Sequence, residues 1–281
     1  MEPSFDLYGA DGPPPSPVLL SVTHAGRALP PAVLPLLRVP PSALRALEDR
    51  YVDLVALGAR GGRVALVQRT PRAWIDLNRA EWERDPLVDD GAAGGGQSRS
   101  VKLRSGLGLV PRRVPGAGEL WRRRLTASEV EARIDGAHRP FHRALGEALL
   151  AARARFGVGV LLDLHSMPPL GAGAARVVLG DRFGRAAGAR FVARAEAAAV
   201  SAGVRVALNS PYAGGHVLDR HGSPMRGIHA VQLELDRSLY LDARLDAPGD
   251  GLPATVALVD AVLSALEDEA LGADALPLAA E

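Results

Sequence analysis

The sequence predicts an α/β fold in which a mixed, mostly parallel sheet is sandwiched by helices, and three observations predict it. Short apolar runs of strand length alternate with amphipathic stretches of helical period along most of the chain. The run 158–164 is almost continuously apolar, as strands buried on both faces of a parallel sheet are. Neither a repeat nor a linker interrupts the 281 residues, so 1–281 reads as a single domain.

Residues up to about 17 are rich in Gly and Pro and predict an irregular lead-in. The run 18–22 predicts a strand that leads into Thr23-His24-Ala25-Gly26, which puts His24 just past a strand's carboxyl end. Ser42 is placed to cap a helix carrying Leu44, Leu47, Tyr51, Leu54 and Val55 at the 3.6 period, with Gly58 as its stop. Residues 63–68 predict a second strand. From 89 to 113 large apolar side chains are scarce and Gly94-Gly95-Gly96 occurs, the pattern of a long, mobile surface loop. Thr126 and Glu129 form a capping-box pair ahead of Val130, Ile134, Phe141, Leu145 and Leu149, an amphipathic helix with a break or kink expected near Pro140. The strand 158–164 runs into His165. An Ala-rich helix over 186–202, a strand at 205–208, a turn-rich loop at 209–215, a strand at 229–236 and a helix at 254–268 complete the pattern. In such folds the ligand crevice lies beyond the carboxyl ends of the strands.

Composition removes several function classes. Lys and Arg number 33 against 32 Asp and Glu, a net charge of +1, which lacks the excess expected of a nucleic-acid binder. With 47% hydrophobic and 23% charged residues, wholesale disorder is excluded. The absence of cysteine rules out thiol nucleophiles, disulfides and thiolate metal sites, so any metal must fall to His, Asp or Glu. No apolar run approaches ~18 residues and the first basic residue is Arg27, so no membrane association is expected and the expected compartment is the cytoplasm. Between 102 and 124, Lys102, Arg104, Arg112, Arg113, Arg122, Arg123 and Arg124 stand against Glu119 alone; this is either a solvated face or a positive rim for an anionic substrate.

The seven histidines are the remaining borderline ligands and neutral-pH bases. His24 and His165 each follow a strand, and Asp163 shares strand parity with His165, where it could orient the ring. His138 and His142 have the spacing of helical zinc ligands, but Arg139 stands where a base Glu belongs and Pro140 intervenes, so no metallopeptidase motif is read there. His216, His221 and His229 lie in or near the Gly-rich loop and the last strand. On a helical wheel Asp49 and Asp53 fall away from the apolar stripe of 44–55, with Glu48 nearer its edge. Along the last strand His229 and Glu234 have opposite parity and should face opposite sides. A nucleophile elbow and a phosphate loop are both missing, and Gly106-Leu107-Gly108 and Gly171-Ala172-Gly173 each lack the third glycine of a dinucleotide fingerprint.

Taken in order, Ser21-Val22-Thr23-His24, Glu48-Asp49-Arg50-Tyr51-Val52-Asp53, Trp74-Ile75-Asp76-Leu77-Asn78-Arg79 and Gly106-Leu107-Gly108-Leu109 carry a resemblance. Pro140-Phe141-His142, Leu162-Asp163-Leu164-His165, Asn209-Ser210-Pro211-Tyr212 through His216, and Gln232-Leu233-Glu234-Leu235-Asp236-Arg237 through Tyr240 continue it. Over most of residues 18–242 the chain resembles the N-formylglutamate amidohydrolase family, which looks like a distant relative of the zinc carboxypeptidases and aspartoacylases. The resemblance implies a carboxypeptidase-like (phosphorylase/hydrolase-like) fold and one catalytic zinc on His24, Asp49 and His165, with water in the fourth place. Glu48 and Asp53 stay open as alternatives to Asp49, and Mn2+ or Fe2+ suits the same donors. It further implies Glu234 as general base, Asn78 and Arg79 as holders of a substrate carboxylate, and Arg237, His216 and Tyr212 as contacts to a second carboxylate or the carbonyl oxygen. The implied partner is a small anionic N-acyl amino acid such as N-formyl-L-glutamate, cleaved to glutamate and formate. A deacylase or carboxypeptidase-like hydrolase of another N-acyl amino acid or short peptide, and a member that binds an acidic ligand without turnover, are the alternatives. The Thr before His24 and the Ala after it depart from the commoner Pro and Ser.

Overall fold

The computed structural model describes residues 4–92 and 100–272. Its strands are β1 (Phe5–Tyr8), β2 (Val18–Val22), β3 (Ala65–Gln68), β4 (Arg113–Val114), β5 (Gly118–Glu119), β6 (Gly159–Met167), β7 (Val177–Gly180), β8 (Val206–Leu208) and β9 (Ile228–Asp236). Its α-helices are α1 (Val52–Ala59), α2 (Val101–Arg104), α3 (Ala127–Arg133), α4 (Arg139–Phe156), α5 (Ala189–Ser201), α6 (His216–His221) and α7 (Leu252–Gly272). The architecture is α/β with a mostly parallel mixed sheet flanked by helices. Backbone contacts gather the described residues into two compact units, one built mainly from residues 23–49, 67–92 and 100–144, the other from residues 7–22, 50–66 and 145–272.

The second unit contains the central strands of a seven-stranded sheet ordered β1-β3-β2-β6-β9-β7-β8. Strands β2, β6 and β9 are parallel neighbours, β7 runs antiparallel to β9, and β8 runs parallel to β7. All nine residues of β6 and of β9 are buried. Period-2 alternation then assigns each face. Leu20, Leu162 and Val231 align across one face, where each buried aliphatic contributes about 1.5–3 kcal/mol. Helices α1 and α7 pack on β2 and β6, and α5 packs on β7, β8 and β9. On the other face Ser21, Asp163 and Gln232 line up. Helix α4 approaches β6 so closely that a Cβ on Gly159 would lie 2.8 Å from the Leu149 carbonyl oxygen, which restricts that position to glycine.

The first unit carries short 3-10 turns and α-helical segments joined by long loops. Thr126 caps α3 with the reciprocal Glu129 bond that the sequence predicts. The helix does not break at Pro140. Instead a π turn, Ile134–His138, joins α3 to α4, and the proline, which has no N–H to give Gly136, is absorbed in the first turn of α4.

Other expectations are corrected. The lead-in contains β1, and β7 was not foreseen because its apolar run is only Val177-Val178-Leu179. The expected helix over 42–58 is two pieces, a 3-10 turn Pro41–Leu47 and α1, and Ser42 caps neither. The break falls at Glu48–Tyr51, where Tyr51 is left-handed with φ 55°, so the wheel that put Asp49 on a solvated face does not apply; Asp49 is 4% exposed. Of the loop expected over 89–113, Gly94-Gly95-Gly96 lies outside the described residues. Residues 100–113 are packed rather than loose, with α2 capped by Ser100, Leu109 and Val110 buried, and Leu109 bonded through its N–H to the Glu83 carbonyl and through its own carbonyl to the Asp76 N–H. The basic run is largely matched by acids: Arg112 meets Asp85 and Glu119, Arg123 meets Glu129, and Arg124 meets Asp90.

Candidate active site

The register of β6 and β9 pairs His165 with Glu234, near the carboxyl ends of two parallel strands. One step back on the same face, Asp163 pairs with Gln232. The His165 Nε2 donates to Asp163 Oδ2 at 2.8 Å, while Ser21 Oγ donates to Asp163 Oδ1 at 2.5 Å. With its proton on Nε2, the neutral His165 ring carries its lone pair on Nδ1. Gln232 Nε2 donates to Glu234 Oε1 at 2.9 Å and so fixes one oxygen of a carboxylate that is only 8% exposed. Arg237, the first residue after β9, donates through Nε to Ser166 Oγ at 3.1 Å.

A second His–carboxylate pair occupies the first unit. His24 follows the end of β2 by two residues, and its Nε2 donates to Asp76 Oδ1 at 2.7 Å. Its other nitrogen, Nδ1, lies 3.5 Å from Asp49 Oδ2, and the Asp49 N–H donates to the His24 carbonyl at 2.9 Å. Asp76 is fully buried. Burial by itself would raise its carboxyl, but Arg72, then His24 and Arg79, hold it well below the usual carboxylate range. Arg72 Nε donates to Asp76 Oδ2 at 2.8 Å, and the Asn78 N–H donates to Oδ1 at 2.8 Å. The Arg79 guanidinium donates through Nε to the Leu107 carbonyl at 2.9 Å and through Nη1 to the Asn78 carbonyl at 2.6 Å; Nη2 is spent on neither.

Thus the first unit brings His24, Asp49, Asn78 and Arg79 around Asp76, and the second brings Asp163, His165, Glu234 and Arg237 together. Glu48 is buried beside Asp49 in sequence, and Asp53 is half-buried in the first turn of α1. Tyr212 sits in the loop after β8, which lies against β7: a Cβ on Gly180 would fall 2.7 Å from the carbonyl carbon of Ala213. His216 opens α6. His229 belongs to the opposite side of the sheet from Glu234, as parity predicts; it stacks on Phe191 of α5 and accepts the Gly188 N–H. Sequence reasoning assigned no role to Asp76, Arg72 or Gln232. Parity with Glu234 could have found Gln232, but nothing local to Trp74–Arg79 marks Asp76 as the partner of a histidine 52 residues away.

His24 and Asp49 in the first unit, and His165 in the second, are side chains of the kind that can hold a metal ion. The donor chemistry fits a divalent cation: each imidazole has its Nε2 taken by a buried carboxylate, the arrangement that fixes tautomer and raises ligand basicity at metal-binding histidines. Among the described residues, no helix is long and apolar enough to cross a membrane.

The chain is similar to known proteins over most of its length. An N-formylglutamate deformylase of Pseudomonas aeruginosa is 29% identical over 262 residues, 89% of this chain and 92% of that one. The Pseudomonas putida protein of the same name is 29% identical over 80% of this chain and 82% of its own. The crystal structure of an N-formylglutamate amidohydrolase from Ralstonia eutropha JMP134 superposes with a TM-score of 0.85 at 30% identity, covering 97% of this chain and 99% of that one. A family model described as N-formylglutamate amidohydrolase matches residues 16–241, and the chain belongs to that family.

Proposed function

We propose that the protein is a metal-dependent amidohydrolase that cleaves the N-formyl amide of N-formyl-L-glutamate, releasing formate and glutamate. The observation that carries this reading is the register pairing of Glu234 with His165, on a histidine whose Nε2 is already committed to Asp163. The names of the Pseudomonas and Ralstonia relatives supply the substrate.

In this reading His24, Asp49 and His165 hold one divalent cation, with zinc the ion best matched to two imidazoles and one carboxylate. Such an ion supplies Lewis-acid activation of water and of the formyl carbonyl. Glu234 accepts the proton of the attacking water as oxygen adds to the formyl carbon. It then returns that proton to the amide nitrogen as the C–N bond breaks. Gln232, by donating to Oε1, orients the Glu234 carboxylate for that transfer. Asp76 and Asp163 hold the two imidazoles in the Nε2–H tautomer. Asn78 and Arg79 receive the glutamate carboxylate, with Nη2 as the guanidinium nitrogen not bound to the Leu107 or Asn78 carbonyl. Arg237, Tyr212 and His216 serve the second carboxylate or the carbonyl oxygen.

The test is formate release from N-formyl-L-glutamate by purified protein, before and after stripping with a chelator and after zinc is restored. Release that is lost on stripping and returns with zinc is expected. Release unaffected by complete metal removal overturns the metal assignment, and absence of release by zinc-loaded protein overturns the substrate.

A further inference from the structure

The pair His138 and His142 has the spacing of a metal motif in sequence, and in the structure both rings hold backbone carbonyls. Both rings are buried, with centroids 4.4 Å apart. His142 Nε2 donates to the Leu77 carbonyl at 2.9 Å, and His138 Nε2 donates to the Arg79 carbonyl at 2.8 Å. These carbonyls bracket Asn78. A third bond comes from the same side: Arg133 Nη1 donates to the Trp74 carbonyl at 3.0 Å while its guanidinium lies 4.0 Å over the Trp74 ring.

The π turn accounts for the alignment. Its closing bond runs from the Arg139 N–H to the Ile134 carbonyl, five residues back. In a π turn, with its wider i→i+5 bonding, residues five apart lie nearer one face than in an α-helix, where they fall about 140° apart. Arg133 and His138 are five apart across this turn, and His142 follows His138 by four in regular helix. The insertion therefore places three donors in one row facing the segment 74–79. That segment has no strand or helix of its own, and a buried carbonyl left without a donor is destabilising, so the row fixes where the segment sits.

We propose that His138 and His142 are positioning residues for Asn78 and Arg79, acting through the Leu77 and Arg79 carbonyls, and that the π turn exists to aim them. This rests on the reading of Asn78 and Arg79 as holders of the substrate carboxylate. Neither histidine touches substrate; each holds the backbone from which a substrate-binding side chain projects. Because Nε2 is the donor, Gln, whose amide reaches the same point, should substitute for His, and Leu, of similar bulk, should not.

The experiment compares His142→Leu and His142→Gln, alone and combined with Arg79→Ala, by steady-state kinetics and by hydrogen exchange over residues 74–82. For His142→Leu, kcat/KM on N-formyl-L-glutamate should fall about tenfold or more, chiefly through KM, while His142→Gln stays within about threefold of the parent. In the Arg79→Ala background the same His142→Leu change should cost less than about twofold, since the group it acts through is gone. Exchange at the amides of Asp76, Asn78 and Arg79, each hydrogen-bonded in the parent, should accelerate in His142→Leu and recover in His142→Gln. Equal losses in both backgrounds, or unchanged exchange, overturn the proposal. If the parent turns over no N-formyl amino acid, the functional reading fails and the exchange data alone decide this one. Should His142→Leu not fold, His142→Asn, whose shorter amide falls short of Leu77, replaces it.

Discussion

Glu234 carries the sharpest prediction at the scale of a single residue. Its carboxylate is buried, lies on the register partner of His165 and has one oxygen tied to Gln232. Glu234→Gln keeps the shape and the Gln232 contact while removing the proton acceptor. We expect kcat to fall by about 10²–10⁴-fold with metal content and KM near parental, measured by steady-state kinetics and metal analysis on one preparation. Turnover within a few-fold of the parent would take the base role from Glu234. At this scale the sequence was most legible where chemistry follows strand parity. Asp163 and His165 stand out from alternation and position, whereas Glu234 enters through the family resemblance; the side-chain bond of Asp163 to His165 follows from that alternation. Asp76 was illegible because its bond to His24 spans 52 residues in a segment with no period to read.

Among the elements, α5 shows how a buried histidine ties stability to pH. Its N-cap residue is Gly188, which offers no side chain, and the Gly188 N–H is satisfied instead by His229 Nδ1 from β9. Burial, then the neighbouring Arg190, pushes His229 down to about 4 from its ordinary 6.5. The sign follows directly. Between pH 6.5 and 4 the unfolded chain binds a proton at this site that the folded chain refuses, so the contribution is complete above about 6.5 and is lost as pH falls toward 4. His229→Asn keeps an acceptor for Gly188 without a titrating ring. It should lower stability at neutral pH, because the Phe191 stack is lost, and flatten the slope of urea midpoint against pH between 4 and 6.5. A slope as steep as the parent's would assign the acid sensitivity to another group. The elements also show where sequence patterns fail. The apolar spacing of 44–55 is real, yet a left-handed Tyr51 divides it, and that division buries Asp49. A break or kink is expected at Pro140, and the disturbance found there is a π turn, Ile134–His138, directly ahead of it.

For the molecule as a whole, the alternation of strands and helices was enough to predict an α/β fold with a mostly parallel sheet, since β6 and β9 announce themselves as apolar runs. Polar side chains at the ends of those runs are what the core has to accommodate, and a metal changes the balance. A ligand that binds the folded chain alone stabilises it by RT ln(1 + [L]/Kd), about 2.7 kcal/mol at a hundredfold excess over Kd. For a chain of this size each kcal/mol moves Tm by roughly 2–4 °C, so zinc at that excess should raise Tm by about 5–10 °C over chelator-stripped protein. His165→Ala, which removes one of the three proposed ligands, should abolish most of that rise. Asp163→Asn, which keeps the ring but weakens its support, should shift the zinc concentration needed for half the rise upward by about 10–100-fold. A parent chain indifferent to zinc would overturn the metal reading outright. A rise shared equally by the parent and His165→Ala would move the ion to other ligands, leaving Glu234 paired with a histidine that holds nothing.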